Sequence, residues 1–325
     1  MLAQQVFALT NLRVKNEKIF MYDIIGDIHG HGDELNSLLT QLGYKDFGKG
    51  YCHKSRKAIF MGDFIDRGEK LAQHKLVLNT VMSMVNNQQA HAVMGNHEFN
   101  ALAYHTRHDG KFLRPHTDEN KRQHQAFLNE FPEDSEEKQE ALDFFFGLPL
   151  WLDFGDLRIV HACWDDSQIE MLKSVCPSGR MDNDVLIAAS TPGSAIHKAV
   201  EVLLKGVEVK LPLNKFFEDS MGKRRDNIRV RWWQQNLATF GEAVIPGGLD
   251  IGAAAALPMA EVMPGYASAA PACFIGHYQL TGEPKSLANN ITCVDYSVSA
   301  ASGKLVAYQW DGEQELDDSK YVYQF

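Results

Sequence analysis

Apolar residues in the first hundred positions follow two alternating rhythms. Tyr22 to Ile25, Ala58 to Met61 and Ala90 to Met94 are short, nearly continuous apolar runs, the pattern of strands buried on both faces. Between them Leu35, Leu38, Leu39 and Leu42 recur at helical spacing. Leu71, Leu78, Val81, Met82 and Val85 do the same within Lys70 to Asn87. This β-α-β-α-β order predicts a mainly parallel sheet with helices packed on it.

The pattern then changes. Phe99 to Gln125 is polar and rich in His, Arg and Asp, and Glu133 to Phe146 reads as a helix with an acidic first half. Residues 99–147 are therefore expected to form a helical insertion over the sheet. Leu148 to Phe154 and Leu157 to Val160 flank Gly155-Asp156, which suits a tight hairpin and delivers a strand to His161. Ser174 to Asn236 has weaker signals: a Val/Leu-rich piece near 199–213, then a basic segment ending in Trp232-Trp233. The Ala-, Gly- and Pro-rich stretch 246–271 reads as loop or short helix, and strands return at Cys273 to Ile275, Ile291 to Val294 and Leu305 to Trp310. No internal repeat is present. Residues 1–20 precede the first strand and are read as an N-terminal extension without functional weight.

The chemistry sits where the first three strands end. Their polar clusters are Gly26-Asp27-Ile28-His29-Gly30, Gly62-Asp63-Phe64-Ile65-Asp66-Arg67-Gly68 and Gly95-Asn96-His97-Glu98. In a parallel sheet the carboxyl ends of the strands share one edge, so loops from separate strands converge there. Asp27 and His29 are two residues apart, and an extended backbone points both to one side while Ile28 faces the core. Carboxylate, imidazole and amide donors form a mixed set that suits Mn, Fe, Zn or Ni better than a thiolate-selective metal. A pair of cations roughly 3.5 to 4 Å apart needs a shared ligand, and Asp63 is the candidate.

Composition narrows the setting. Of 325 residues, 45% are apolar and 23% charged, enough for a buried core and against wholesale disorder. A formal charge of -10 argues against a generic nucleic-acid binder, which needs a surplus of Lys and Arg. The five cysteines are scattered without a C-x-x-C pair, so neither a disulfide framework nor a zinc ribbon is suggested. No apolar run reaches the length of a membrane span and residues 1–20 lack a secretory signal. The expected setting is cytoplasmic, with no membrane or nucleic-acid partner.

The three blocks GDIHG, GDFIDRG and GNHE resemble, in order and spacing, the calcineurin-like metallophosphoesterases, in the branch of the phosphoprotein phosphatases and diadenosine tetraphosphatases. The resemblance is densest over residues 22–98, and extends to His161 in IVHACWD and His277 in FIGHYQL. It implies a four-layer αββα sandwich, with residues 21–325 as one domain and the 99–147 insertion covering the site. It also implies two divalent metal ions, manganese the first choice. Asp27 and His29 would bind the first, Asp63 would bridge, and Asn96, His161 and His277 would bind the second. In many relatives outside this branch the Gly-His pair leads to another metal-binding histidine; here that position is Gln279, which favours the phosphatase branch.

The implied chemistry is attack on phosphorus by a metal-bridging hydroxide, with His97, paired to Asp66, as general acid to the departing oxygen. Arg67 and Asn96 would hold the phosphate. A further arginine is expected within the basic segment from Lys223 to Arg231, with Arg229 and Arg231 the preferred candidates. The expected function is phosphomonoester hydrolysis resembling that of a phosphoprotein phosphatase. The alternatives are a dinucleoside tetraphosphatase, or a non-catalytic scaffold docking phosphorylated partners through Arg67. Two more clusters admit two readings each. His105, Arg107, His108, Arg114 and His116 suit a substrate rim or a solvated face; Trp232 and Trp233 suit packing more than stacking on a base.

Overall fold

A computed structural model describes residues 21–67, 72–218, 222, 224–260, 263 and 265–324. The N-terminal extension 1–20, Gly68 of the second block, Lys70 and Leu71 of the segment expected to be helical, and Lys223 lie outside the described residues.

Leaving aside two-residue hairpins and one short outlying pair, the strands in chain order are β1 (Met21–Ile25), β2 (Arg56–Phe60), β3 (Ala90–Ala92), β4 (Trp151–Asp153) and β5 (Leu157–Val160). They continue with β6 (Ala272–Ile275), β7 (Ile291–Cys293), β8 (Asp295–Tyr296), β9 (Lys304–Trp310) and β10 (Tyr321–Gln324). One sheet runs β8-β9-β1-β2-β3, with β10 also paired to β9, and the other runs β7-β6-β5-β4. The expected parallelism holds for β1, β2 and β3. It fails at β9, which pairs antiparallel to β1 and makes the first sheet mixed. An apolar run specifies burial, not direction, so this reversal left no trace in the periodicity. In the second sheet β5, β6 and β7 are parallel, and β4 joins through the expected hairpin.

Alternation along each strand creates the layers. Tyr22, Ile24, Ile59 and Met61 of the first sheet pack with Leu157, Ile159, Ala272 and Phe274 of the second, the core between the sheets. The intervening residues Ile25, Ala58 and Phe60 face outward, onto Leu35 and Leu38 of α1 (Gly32–Gln41) and Val77 and Val81 of α2 (His74–Asn86). On the far side Val160, Cys273 and Ile275 belong to the same apolar cluster as Leu172 of α7 (Asp166–Lys173), Leu186 of α8 (Asn183–Ala189) and Leu203 of α9 (Ala195–Lys205). The result is a four-layer αββα sandwich.

Residues 99–147 are more helical at their start than their polarity suggests. Helix α3 (Asn96–His105) begins inside the third block and buries Phe99, Leu102 and Tyr104. Then follow α4 (Asp118–Gln123), α5 (Gln125–Glu130) and α6 (Glu136–Phe146). Ser135 caps α6 by accepting from the Lys138 N–H, and Glu136 and Glu137 face the positive end of its dipole. The Val/Leu-rich piece near 199–213 divides into α9 and the short strand Glu208–Lys210, which pairs with Asn227–Arg229 over a small apolar cluster of its own.

Candidate metal centre

Five loops meet at the carboxyl ends of the strands. Those after β1, β2 and β3 bring the three sequence blocks, while His161 follows directly on β5 and His277 follows β6 after Gly276. The first two loops are tied together, because the Ile28 and His29 N–H groups both donate to the Asp63 carbonyl and Gly30 donates to Phe64. Close approach depends on small residues. A Cβ on Gly276 would lie 2.2 Å from Asp27 Oδ1, and one on Gly62, whose φ is +87°, would lie 2.3 Å from the Gly95 nitrogen.

All six proposed ligands are brought together, each at most 8% exposed. Asp63 Oδ2 is 3.4 Å from His161 Nε2, 3.7 Å from His29 Nε2 and 3.9 Å from His97 Nε2. The Asn96 carbonyl oxygen is 2.7 Å from His277 Nδ1 and 3.3 Å from His161 Nε2. Asp27 Oδ2 accepts from the His277 N–H at 3.1 Å. Outer partners orient the rings: His29 Nδ1 faces the Ile65 carbonyl at 2.9 Å and His161 Nδ1 the Met61 carbonyl at 2.7 Å.

This arrangement fits cations. Asp27 Oδ1, His29 Nε2, Asp63 Oδ2 and His277 Nε2 are buried and have no hydrogen-bond partner. Burying such atoms uncompensated costs on the order of 1–3 kcal/mol each. Among the described residues two clusters of side chains able to ligate a cation share Asp63, one with His29 and His97 and one with His161 and His277; Asp27 falls in neither. Burial, then Arg67, holds His29 well below its usual pKa; burial, then Arg229, does so for His277. Both shifts favour the neutral ring, which has a lone pair to give. Burial, with Asp295 and Asp63 nearby, raises Asp27 well above the carboxylate range, a penalty that a bound cation would remove.

Beside the ligands, His97 Nδ1 lies 3.0 Å from Asp66 Oδ2. Arg67 and Arg229 line a cavity of about 440 Å³ next to His277, together with Arg114 and Lys205. Arg231 does not line it. The short strand ends at Arg229, so strand alternation does not carry two residues farther, and Arg231 Nε donates instead to the Val244 carbonyl at 3.3 Å. The His/Arg cluster divides too. Arg114 faces the cavity, His116 is stacked between Tyr104 and Phe112, and Arg107 and His108 are exposed. Trp232 and Trp233 are packed, Trp232 donating to the Ala162 carbonyl at 3.1 Å.

Sequence reasoning passed over three contributors. Glu98, fully buried, accepts from the N–H groups of Asp63, Phe64 and Gly95 and so joins two loops. Its place at the third position of α3, a capping position, was the available signal. Asp295 accepts from the Gln279 N–H at 2.7 Å and steadies the loop that carries His277. His124, from the insertion, reaches Asp66, and no motif marks it.

A family model described as Calcineurin-like phosphoesterase matches residues 22–204, more than half of the chain. An asymmetrical bis(5'-nucleosyl)-tetraphosphatase of Halalkalibacterium halodurans is 42% identical over 78 residues, covering 23% of this chain and 30% of that protein. The corresponding protein of Anoxybacillus flavithermus is 44% identical over 78 residues, 24% of this chain and 31% of that protein. The chain thus matches about a third of the length of these curated relatives. Among solved structures, a cold-active protein-tyrosine phosphatase of a psychrophilic Shewanella aligns over 91% of this chain and 79% of its own, at 14% identity and a TM-score of 0.47. No helix among the described residues is long and apolar enough to cross a membrane.

Proposed function

The chain belongs to the calcineurin-like phosphoesterases, and on that premise we propose that it hydrolyses phosphomonoesters at a centre of two divalent metal ions, in the manner of a phosphoprotein phosphatase. The observation that carries this reading is the set of four buried, partnerless ligand atoms on Asp27, His29, Asp63 and His277, with the Asp63 carboxylate shared by two clusters of ligating side chains. Asp27 and His29 would hold one cation and Asn96, His161 and His277 the other, with Asp63 between them and manganese the first choice. When bound, such cations supply positive charge to the phosphate oxygens and lower the pKa of water in the site to about 7.

The protein's own groups would do the rest. Arg67 and Arg229 offer planar forked donors to the phosphate oxygens from the cavity lining, to which Asn96 also belongs. Asp66 holds the Nδ1 side of His97, which leaves Nε2 directed to the centre, where its proton goes to the departing oxygen. Proton transfer of this kind is typically worth about 100- to 10,000-fold in rate. Residues 21–325 would act as one domain, with 99–147 as the cover. A non-catalytic scaffold has no use for a ligand set combined with His97, Asp66 and Arg67.

A second reading, hydrolysis of dinucleoside polyphosphates, is favoured by the cationic cavity and by the names of the relatives. The first test is hydrolysis of p-nitrophenyl phosphate with Mn²⁺ by the wild type against Asp63→Asn. Activity lost in the variant supports the centre, and equal activity in both proteins refutes it. Comparing phosphopeptides with diadenosine tetraphosphate then separates the substrates, and exclusive cleavage of the dinucleotide overturns the first reading.

A further inference from the structure

Asp66 has two carboxylate oxygens, and each faces a different histidine. Oδ2 lies 3.0 Å from His97 Nδ1, and Oδ1 lies 3.0 Å from His124 Nδ1. His124 comes from the insertion, at the junction of α4 and α5, and is buried. Its own place is fixed: its N–H donates to the carbonyls of Asn120 and Lys121, its carbonyl accepts from Leu128, and its ring stacks on Phe127 at 4.8 Å. On the far side, His124 Nε2 is 3.2 Å from His105 Nε2.

We infer that His124 is a positioning residue, by which the insertion fixes the Asp66 carboxylate and through it the orientation of His97. The torsion that turns a carboxylate about its Cβ–Cγ bond is broad and soft. One hydrogen bond, to His97 alone, would leave the Asp66 carboxylate free to swing and would let the His97 ring follow. A second donor on the other oxygen, from a ring packed into a different element, stops that rotation. The hydrogen inventory is consistent. An ionised carboxylate only accepts, so both Nδ1 atoms carry hydrogen, and the unprotonated His124 Nε2 accepts from His105 Nε2–H. One buried ring, His124, thereby links the Asp66 carboxylate to two partly buried rings, His97 and His105, and no sequence motif marks it.

This inference rests on the general-acid reading of His97. In that step a hydroxide from solvent forms a new P–O bond while the P–O bond to the leaving group breaks, its electron pair stays on the departing oxygen, and the Nε2 proton of His97 follows it. The step matters for phenyl phosphate, whose phenolate is a poor leaving group, and matters little for 2,4-dinitrophenyl phosphate, whose phenolate leaves unassisted. Misplacing His97 should therefore affect one ester and spare the other.

The test uses the full chain with Mn²⁺ and three variants: His97→Ala, His124→Leu and His124→Asn. Leu and Asn are nearly the same shape, but only Asn carries a donor close to where Nδ1–H sits. For His124→Leu the expected result is a kcat on phenyl phosphate lower by about tenfold, the lower end of what losing an outer hydrogen-bonding partner costs. KM should stay level, and kcat on 2,4-dinitrophenyl phosphate should stay within about twofold. His124→Asn should recover most of the loss. Equal losses on both esters, no loss on either, or an Asn variant no better than Leu would each overturn the inference. If His97→Ala shows no dependence on the leaving group, the general-acid reading falls and takes the inference with it. If it shows that dependence and His124→Leu does not, only the inference falls. Should the Leu variant not fold, ¹⁵N NMR of the wild type decides: hydrogen on His124 Nδ1 is expected, and a bare Nδ1 overturns the proposal.

Discussion

Replacing Glu98 is the sharpest test of how the centre is held. In Glu98→Ala the N–H groups of Asp63 and Phe64, each 2.8 Å from the carboxylate, and of Gly95, at 3.0 Å, lose their acceptor together. The side chain is fully buried, so bulk water cannot replace it without the loops parting. Burial pushes the Glu98 carboxyl up to about 7, so it is fully ionised only above neutral pH; there, hydrogen bonds to the charged group contribute about 1.5–3 kcal/mol each, and a water entering the vacated space would recover part of the three. A net loss of about 3–5 kcal/mol is expected. With an unfolding entropy of roughly 2.1 cal/mol/K per residue, that lowers Tm by about 4–7 °C for a chain of this length. Glu98→Gln keeps one acceptor but turns an amide donor toward an N–H, so its loss should be about 1–3 kcal/mol. The Asp63 loop loosens at the same time, and Mn²⁺ affinity by titration calorimetry should fall about 10- to 100-fold. Urea and thermal unfolding give the first quantity. An Ala variant within about 1 kcal/mol of wild type, with unchanged Mn²⁺ affinity, would refute the reasoning.

The remaining expectations concern the cations and the arginines. Mn²⁺ at about 100 times its Kd should stabilise the protein by about 2.7 kcal/mol, which is roughly 4 °C in Tm. Chelator should reverse the rise, and Asp63→Asn should abolish most of it; a flat Tm in the wild type would contradict the centre. Arg229→Ala should lower kcat/KM on p-nitrophenyl phosphate by about 10- to 100-fold, the loss of one charged contact to phosphate. Arg231→Ala, whose guanidinium faces the Val244 carbonyl, should have a much smaller effect, and equal losses in the two variants would refute the assignment.

What was legible in the sequence follows a physical rule. The blocks at Asp27, Asp63 and Asn96 could be read because each sits at the end of an apolar strand whose direction the intervening helix fixes, so their convergence needed only local pattern. The antiparallel entry of β9 could not, because nothing in an apolar run encodes the direction of its neighbour. Helix α3 was hidden for a different reason: its first turn carries ligands and a cap, so polar residues stand where periodicity looks for apolar ones, and only Phe99, Leu102 and Tyr104 mark its buried side. Arg229 and Arg231 look equivalent by strand alternation until the strand ends between them. His124 lies 58 positions from Asp66, and its role exists only once the insertion has folded back.

The backbone at the centre shows why these loops must support one another. His29, Asp63, Asp66, Arg67 and His277 all have positive φ, between 46° and 70°. For residues other than glycine such conformations cost on the order of 1–3 kcal/mol, although Asp and His tolerate them better than most. They persist where surrounding structure over-determines them, and here it does: Asp63 offers its carbonyl to two N–H groups of the first loop while Glu98 holds its own N–H from the third. Each ligand is thus aimed by a hydrogen bond made on a different strand's loop. Weakening one loop therefore relaxes the others toward ordinary dihedrals and turns their ligands away. For this reason substitutions at Glu98, which touches no ligand atom of a cation, are expected to act on cation affinity and on stability together.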